Sequence, residues 1–314
     1  MKRLSPAATG TLYCVLAPGA YASYNICLRG VSGEQDSAWI TCVQASVGVA
    51  VFGAYLGWQA VQRRPALPPW KETLSLLAIG LITQLGGVAM VWAMGIVGVG
   101  TTATLQMGVM LAFTAILGRI VLGEPVSRRQ MIAIGLIVIA VFSFSRGAQP
   151  VENVAVDQAA ATVPSLLGIA AGVLSGLAFA VLVVGVRKAV TSETSPEATV
   201  FLISVMGVAF MGPLCVYRLG IGTLVHTPAK HFGVMLLGGA MNVIGFLLLT
   251  KALKVVSAIR VNVLNNALTM ALTVIAGIVF FAEPWNGHLA FGIIVSIIGV
   301  IVISIASPSK ANAT

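Results

Sequence analysis

Apolar residues fill this chain in ten long runs, near 7–28, 38–60, 73–96, 100–122, 129–146, 164–186, 197–217, 231–251, 256–281 and 286–306. Each is close to the roughly 20 residues that cross a hydrocarbon core of about 30 Å as an α-helix. Charge, Pro or Gly separates each run from the next, most tightly at Gly98–Gly100 and Glu283–Gly287. The pattern predicts an all-α membrane protein of ten transmembrane helices. Composition agrees: 58% of residues are hydrophobic, only 9% are charged, and mean hydropathy is +1.00. A soluble domain carries about 25% charged residues. The 34 glycines suit a bundle in lipid, where small residues let helix backbones approach.

The basic residues orient these spans. With the N-terminus inside, 13 of them fall on the cytoplasmic side (Lys2, Arg3, Arg63, Arg64, Lys71, Arg119, Arg128, Arg129, Arg187, Lys188, Lys251, Lys254 and Lys310) and four outside (Arg29, Arg146, Arg218 and Lys230). That bias is the positive-inside rule, and it places both termini in the cytoplasm of a multi-pass inner-membrane (plasma-membrane) protein. It also explains the net charge of +9 without a nucleic-acid partner. The start, Lys2-Arg3, an apolar run and Ala20-Tyr21-Ala22, imitates a cleavable signal peptide. It reads instead as a retained first span, because an internal repeat needs it.

A shift of 159 residues lays 80–145 on 239–304 without a gap. Fifteen of the 66 positions are identical, among them Gly80, Gly86, Leu105, Ala112 and Ser145 with their partners. Chance matches are common in apolar sequence, so the motif decides: Thr-x-Ile-x-Gly-x5-Glu-Pro occurs at Thr114–Pro125 and again at Thr273–Pro284. The first span aligns with the sixth at a shift of 158, pairing Gly10 with Gly168 and Arg29 with Arg187. Five spans therefore repeat once. Because five is odd, the copies enter the membrane from opposite sides, giving two inverted five-helix repeats, an arrangement through which carriers open a central site to each side in turn. The first repeat reads as 1–146, an external linker as 147–163, the second repeat as 164–306 and a cytoplasmic tail as 307–314.

The stretches Ala112–Val141, with LGEPVSRRQMIAIGLIVIAV, and Ala271–Val300, with FAEPWNGHLAFGIIVSIIGV, resemble the EamA-like branch of the drug/metabolite transporter superfamily. The likeness covers nearly the whole chain. Two features depart from it: Pro18-Gly19 stands near where the family's first span commonly has Trp-Gly, and Ala282 replaces the Gly of the first Gly-Glu-Pro. The resemblance implies a ten-helix transporter moving metabolites such as amino acids, and the motifs mark fold rather than cargo.

Polar side chains are costly inside a membrane and are candidates for function. Gln106 and Asn265 occupy equivalent positions of the two repeats, with Asn266 adjacent and Asn262 one turn away. Amides offer both donors and acceptors to a solute, and they equally serve as bonds between helices. Gln84 and Asn242 lie near mid-span; Tyr21, Tyr24 and Asn25 share one half of the first span, and Gln44 lies in the second. Trp92 offers a stacking face, with core or lipid packing as its alternative. Arg260, the one basic residue placed inside a span, either attracts an anionic group or snorkels to the interface. Glu124 and Glu283, each before Pro, read as helix caps or as gating contacts.

All nine carboxylates fall in loops or at span ends. No buried acid is expected to relay protons, which disfavours efflux of lipophilic cations. His226, His231 and His288 sit at span edges, and no metal-ligand spacing, nucleophile elbow or phosphate-binding loop is present. Cys14, Cys27, Cys42 and Cys215 lack CxxC spacing and read as free thiols. No enzyme activity, cofactor or metal is expected. The reading is an alternating-access carrier, preferably an exporter, for an amino acid or related neutral, zwitterionic or anionic solute. The alternative is a membrane structural or assembly partner without flux. The partners are a small-molecule substrate and the lipid bilayer, with a homodimer left open. In a variant whose four cysteines are replaced by alanine, a membrane-impermeant maleimide is expected to label Lys230→Cys in intact cells and Arg64→Cys only after permeabilisation.

Overall fold

The computed structural model describes residues 6–31, 34–64, 67–97, 99–123, 126–147, 162–191, 194–281 and 287–304. Within them the chain forms ten α-helices: α1 Pro6–Arg29, α2 Ser37–Val61, α3 Trp70–Val97, α4 Val99–Leu122, α5 Arg128–Gly147, α6 Thr162–Thr191, α7 Pro196–Val225, α8 Ala229–Val255, α9 Ala258–Phe281 and α10 Gly287–Ser304. Their order matches the ten apolar runs, because helix is the arrangement that satisfies every backbone N–H and C=O within the segment itself. Among the described residues, α2, α6, α7, α8 and Trp70–Met94 of α3 are long and apolar enough to cross a membrane. The described apolar stretches of α4, α5 and α10 are shorter, Gln106–Leu122, Met131–Ala140 and Ala290–Gly299. α7 runs past the expected end at 217: Gly220 takes φ 76° and ψ 149°, a kink that glycine accommodates without strain, and helix resumes to Val225. The Glu-Pro elements at Glu124 and Glu283 lie outside the described residues, as do the interhelical segment 148–161 and the tail.

The packing obeys a two-fold exchange of the repeats. α1 packs mainly on α8 and α9, and its equivalent α6 packs mainly on α3 and α4. α2 meets α8 as α7 meets α3, and the equivalent pairs α2/α7, α4/α9 and α5/α10 pack on each other. Each equivalent pair runs antiparallel. Along α2, Cys42, Ala45 and Gly48 face Gly212, Gly207 and Ser204 of α7 in descending order. Thr114 and Gly118 of α4 face Asn262 and Ile259 of α9, and Ser143 near the end of α5 donates 2.6 Å to the carbonyl of His288 at the start of α10.

Glycines hold this geometry at the α2/α7 crossing. Gly48 and Gly207 are 159 residues apart; a Cβ on Gly48 would collide with Ser204, and one on Gly207 with Ala45, which is itself equivalent to Ser204. The pattern repeats one layer out. A Cβ on Gly80 would lie 3.0 Å from the Cα of Ile203, and one on Gly239 would lie 2.9 Å from the Cα of Gln44, again at equivalent positions. The repeat thus extends in space into α2 and α7, where few side chains match.

The helix starts carry the symmetry as well. Asp36 caps α2, its carboxylate accepting from the backbone N–H groups of Ala38 and Trp39 at 2.9 and 3.2 Å. Ser195, its equivalent, caps α7 by accepting from Ala198 N–H at 3.1 Å. Beside these caps, Gln35 Nε2 lies 3.2 Å from His231 Nδ1, and Thr194 donates to Glu72 at 2.7 Å; these two contacts exchange under the 159-residue shift. They stand at opposite ends of the bundle. All four cysteines are free.

Overpacking a tight contact costs about 1–3 kcal/mol. Gly207→Ala is therefore expected to lower stability in thermal unfolding of the detergent-solubilised protein. Gly57→Ala, whose Cβ would meet nothing within 4 Å, is expected to leave stability unchanged or to raise it by up to about 1 kcal/mol through helix propensity.

Candidate functional site

On α9 the polar residues Asn262, Asn265, Asn266 and Thr269 fall at i, i+3, i+4 and i+7. That spacing puts them on one face of a helix, and packing turns the face inward: all four are buried. Three of them form a directional chain. Asn262 Nδ2 donates to Thr114 Oγ1 of α4 at 2.8 Å, Asn266 Nδ2 donates to Asn262 Oδ1 at 3.0 Å, and Asn265 Nδ2 donates to Asn266 Oδ1 at 3.5 Å. Each amide that donates becomes a stronger acceptor at its own oxygen. The chain ends at Asn265 Oδ1, which has no partner among the described residues.

This face lines a cavity of about 140 Å³ between the two halves. At about 30 Å³ per water in the liquid, that is room for roughly five waters or one small solute. α1 contributes Tyr21, Tyr24 and Asn25; α2 contributes Thr41 and Gln44; α3 contributes Thr83 and Gln84; α4 contributes Gln106, Met107 and Met110. From the second repeat come Phe179, Leu182 and Val183 of α6, Ile203 and Ser204 of α7, and Asn242, Val243, Phe246 and Leu249 of α8. Asn25 donates to Thr273 at 3.3 Å, and Gln84 donates to the carbonyl of Ile203 at 3.3 Å. The hydroxyls of Thr41 and Thr83 donate to carbonyls one turn back, at 2.8 and 2.7 Å. No Asp, Glu, Lys, Arg or His is among the described lining residues.

Ten of the twelve intramembrane candidates read from the sequence stand in this wall: Gln106, Asn262, Asn265, Asn266, Gln84, Asn242, Tyr21, Tyr24, Asn25 and Gln44. Two do not. Trp92 is 46% exposed on the outer surface of α3. Arg260 lies two residues before Asn262, on another face of α9, with its guanidinium near Cys14 of α1. Thr41, Thr83, Ser204 and Thr269 were not singled out. A lone hydroxyl in an apolar helix commonly bonds its own backbone, so it carries little signal; for Thr269 the usable sign was its helical spacing from Asn262.

A family model described as the EamA-like transporter family matches residues 8–146 and 166–305, one match for each half. The chain belongs to the EamA-like transporter family. A solved crystal structure has the same fold, with TM-score 0.73 and 15% identity over 94% of this chain and 96% of its own. A search among curated proteins finds no match.

In this EamA-like chain the wall is symmetric in position and asymmetric in chemistry. Tyr21, Tyr24 and Asn25 of α1 are equivalent to Phe179, Leu182 and Val183 of α6. Gln44 of α2 is equivalent to Ile203 of α7, and Asn266 and Thr269 of α9 to Met107 and Met110 of α4. Since α1 packs on α9 and α6 packs on α4, the polar members of these pairs gather on one wall and the apolar ones on the other, with Gln84 of α3 and its equivalent Val243 of α8 the reverse case. Gln106 and Asn265 are the equivalent pair that is polar on both walls, and Thr83 and Asn242 form a second such pair.

Removing Asn262 leaves its buried partners unsatisfied, at a cost of about 1–3 kcal/mol. Asn262→Leu and Thr114→Val are each expected to lower thermal stability. The double variant is expected to fall short of the sum, and a double-mutant cycle in unfolding measurements checks that coupling.

Proposed function

We propose that this member of the EamA-like transporter family carries a small polar solute across the plasma (inner) membrane by alternating access, with the central cavity as its binding site. All ten helices cross the bilayer with both termini cytoplasmic, so the halves have inverted topology. The observation that carries this reading is the antiparallel pairing of equivalent helices around the α2/α7 glycine crossing, with the polar cavity lying between the halves. An antiparallel two-fold relates the ends of the bundle. Whatever geometry one half adopts to close one end, the other half can adopt to close the opposite end. The equivalent contacts Gln35–His231 and Thr194–Glu72 mark those two ends.

The Gln106/Asn265 level binds the solute. Both amides are buried in the wall at equivalent positions, and polar groups in a membrane interior are retained where they serve the transport path. The carboxylate-free wall supports facilitated or exchange transport rather than a proton relay through the site, and it does not favour a cationic cargo. In proteoliposomes, the Gln106→Ala plus Asn265→Ala variant is expected to fold with unaltered elution and helicity. Its flux is expected to fall at least about tenfold, the effect of roughly 1.4 kcal/mol of lost binding. Flux equal to the unaltered protein's would remove these two residues from the site.

A further inference from the structure

Three side chains of the cavity wall hold polar atoms that find no partner among the described residues: Gln44 Nε2, Asn265 Oδ1 and Thr269 Oγ1. They are only 4%, 8% and 2% exposed. Buried polar groups are nearly always hydrogen-bonded, to protein, water or ligand, so three such atoms in one cavity state the chemistry that a bound solute would meet there. Gln44 Nε2 is a donor and asks for an acceptor. Asn265 Oδ1, at the strengthened end of the amide chain, asks for a donor. Thr269 can serve as either.

Resting on the cavity being the solute site, we propose that its ligand is an uncharged amphipathic solute with a hydroxyl or carboxamide edge and an apolar body. The edge is held between Gln44 and Asn265, and the body lies on the apolar wall of α4 and α6. The absence of charge from the described lining disfavours ions. One orphan donor or acceptor offsets the dehydration of a neutral hydroxyl or amide. A buried ammonium or carboxylate needs an opposite charge or several aligned partners. No described lining residue carries a charge, and Asn25, Thr41, Thr83 and Gln84 each already commit one donor within the protein. The apolar body follows from Phe179, Leu182, Met107 and Met110, which face the polar wall from the equivalent positions.

A charge series on one side chain tests this with the full-length protein in detergent. The probes are N-acetyl-leucinamide (neutral), leucine (zwitterion), N-acetyl-leucine (anion), leucinamide (cation) and N-acetyl-glycinamide (neutral, without the apolar body). Ligand-induced rise in unfolding temperature reads affinity. The neutral leucine derivative is expected to bind at least tenfold more tightly than each charged one and than the glycine derivative. Asn265→Leu and Gln44→Leu are each expected to weaken it about tenfold, with Thr269→Val as a milder variant should either fail to fold. The proposal falls if any charged probe binds as tightly as the neutral one, or if none of the five binds at millimolar concentration. A charged probe that binds as tightly as the neutral one and is weakened by Asn265→Leu overturns the uncharged class and leaves the cavity as the site. Binding that ignores all three substitutions overturns the cavity reading together with the proposal.

Discussion

Two helices that are copies of each other, α2 and α7, cross with only small side chains between them. Gly48 against the side chain of Ser204 and Gly207 against that of Ala45 bring α2 and α7 close together, and the rest of the fold is arranged around that point. Lipid tails are as apolar as leucine, so burial of apolar surface does not drive helices together in a membrane. Close approach does, through the dispersion contacts that a missing Cβ permits. The next layer uses the same device, Gly80 on the backbone of Ile203 and Gly239 on that of Gln44. These contacts fix where α3 and α8 lie, and with them the positions of Gln84 and Asn242 in the cavity wall. An alanine at one of the tightest sites therefore disturbs both halves.

Symmetry of backbone and asymmetry of side chains divide the work of the molecule. The close helix contacts recur at equivalent positions, as the proposed exchange of closed geometry between the two ends requires. The wall chemistry does not recur. Where α1 and α9 carry Tyr21, Asn25, Asn266 and Thr269, their equivalents α6 and α4 carry Phe179, Val183, Met107 and Met110. The cavity thus presents mainly hydrogen-bonding groups on one side and mainly apolar groups on the other. Gln106 and Asn265 sit where the repeats agree in both position and polarity.

The helix order and the two-fold plan were legible in the sequence for physical reasons. Apolar runs of bilayer length are long signals, and the 159-residue shift survives in the second part of each repeat, where the Thr-x-Ile-x-Gly motif lies. The α2/α7 crossing was not legible. Gly48 and Gly207 stand among side chains that diverge between the copies, and a glycine in an apolar helix does not disclose what it touches. The same blindness displaced Trp92, which lies on the outer surface. In a membrane helix, core and lipid faces are both apolar, so periodicity does not separate them. Polar residues escaped that limit because a buried amide is costly in a membrane helix, so Gln44, Gln84, Gln106 and Asn242 stood out singly and Asn262, Asn265 and Asn266 stood out together.

The account rests on one cavity that reaches each side of the membrane in turn. The most direct measurement places a single cysteine at Met110, in the apolar wall, in protein whose native cysteines are replaced, and applies an impermeant thiol reagent to right-side-out and to inside-out vesicles. Met110→Cys is predicted to react from both sides, with prior labelling from one side consuming the thiols available to the other. Reaction from one side only, or from neither, would contradict alternating access through this cavity.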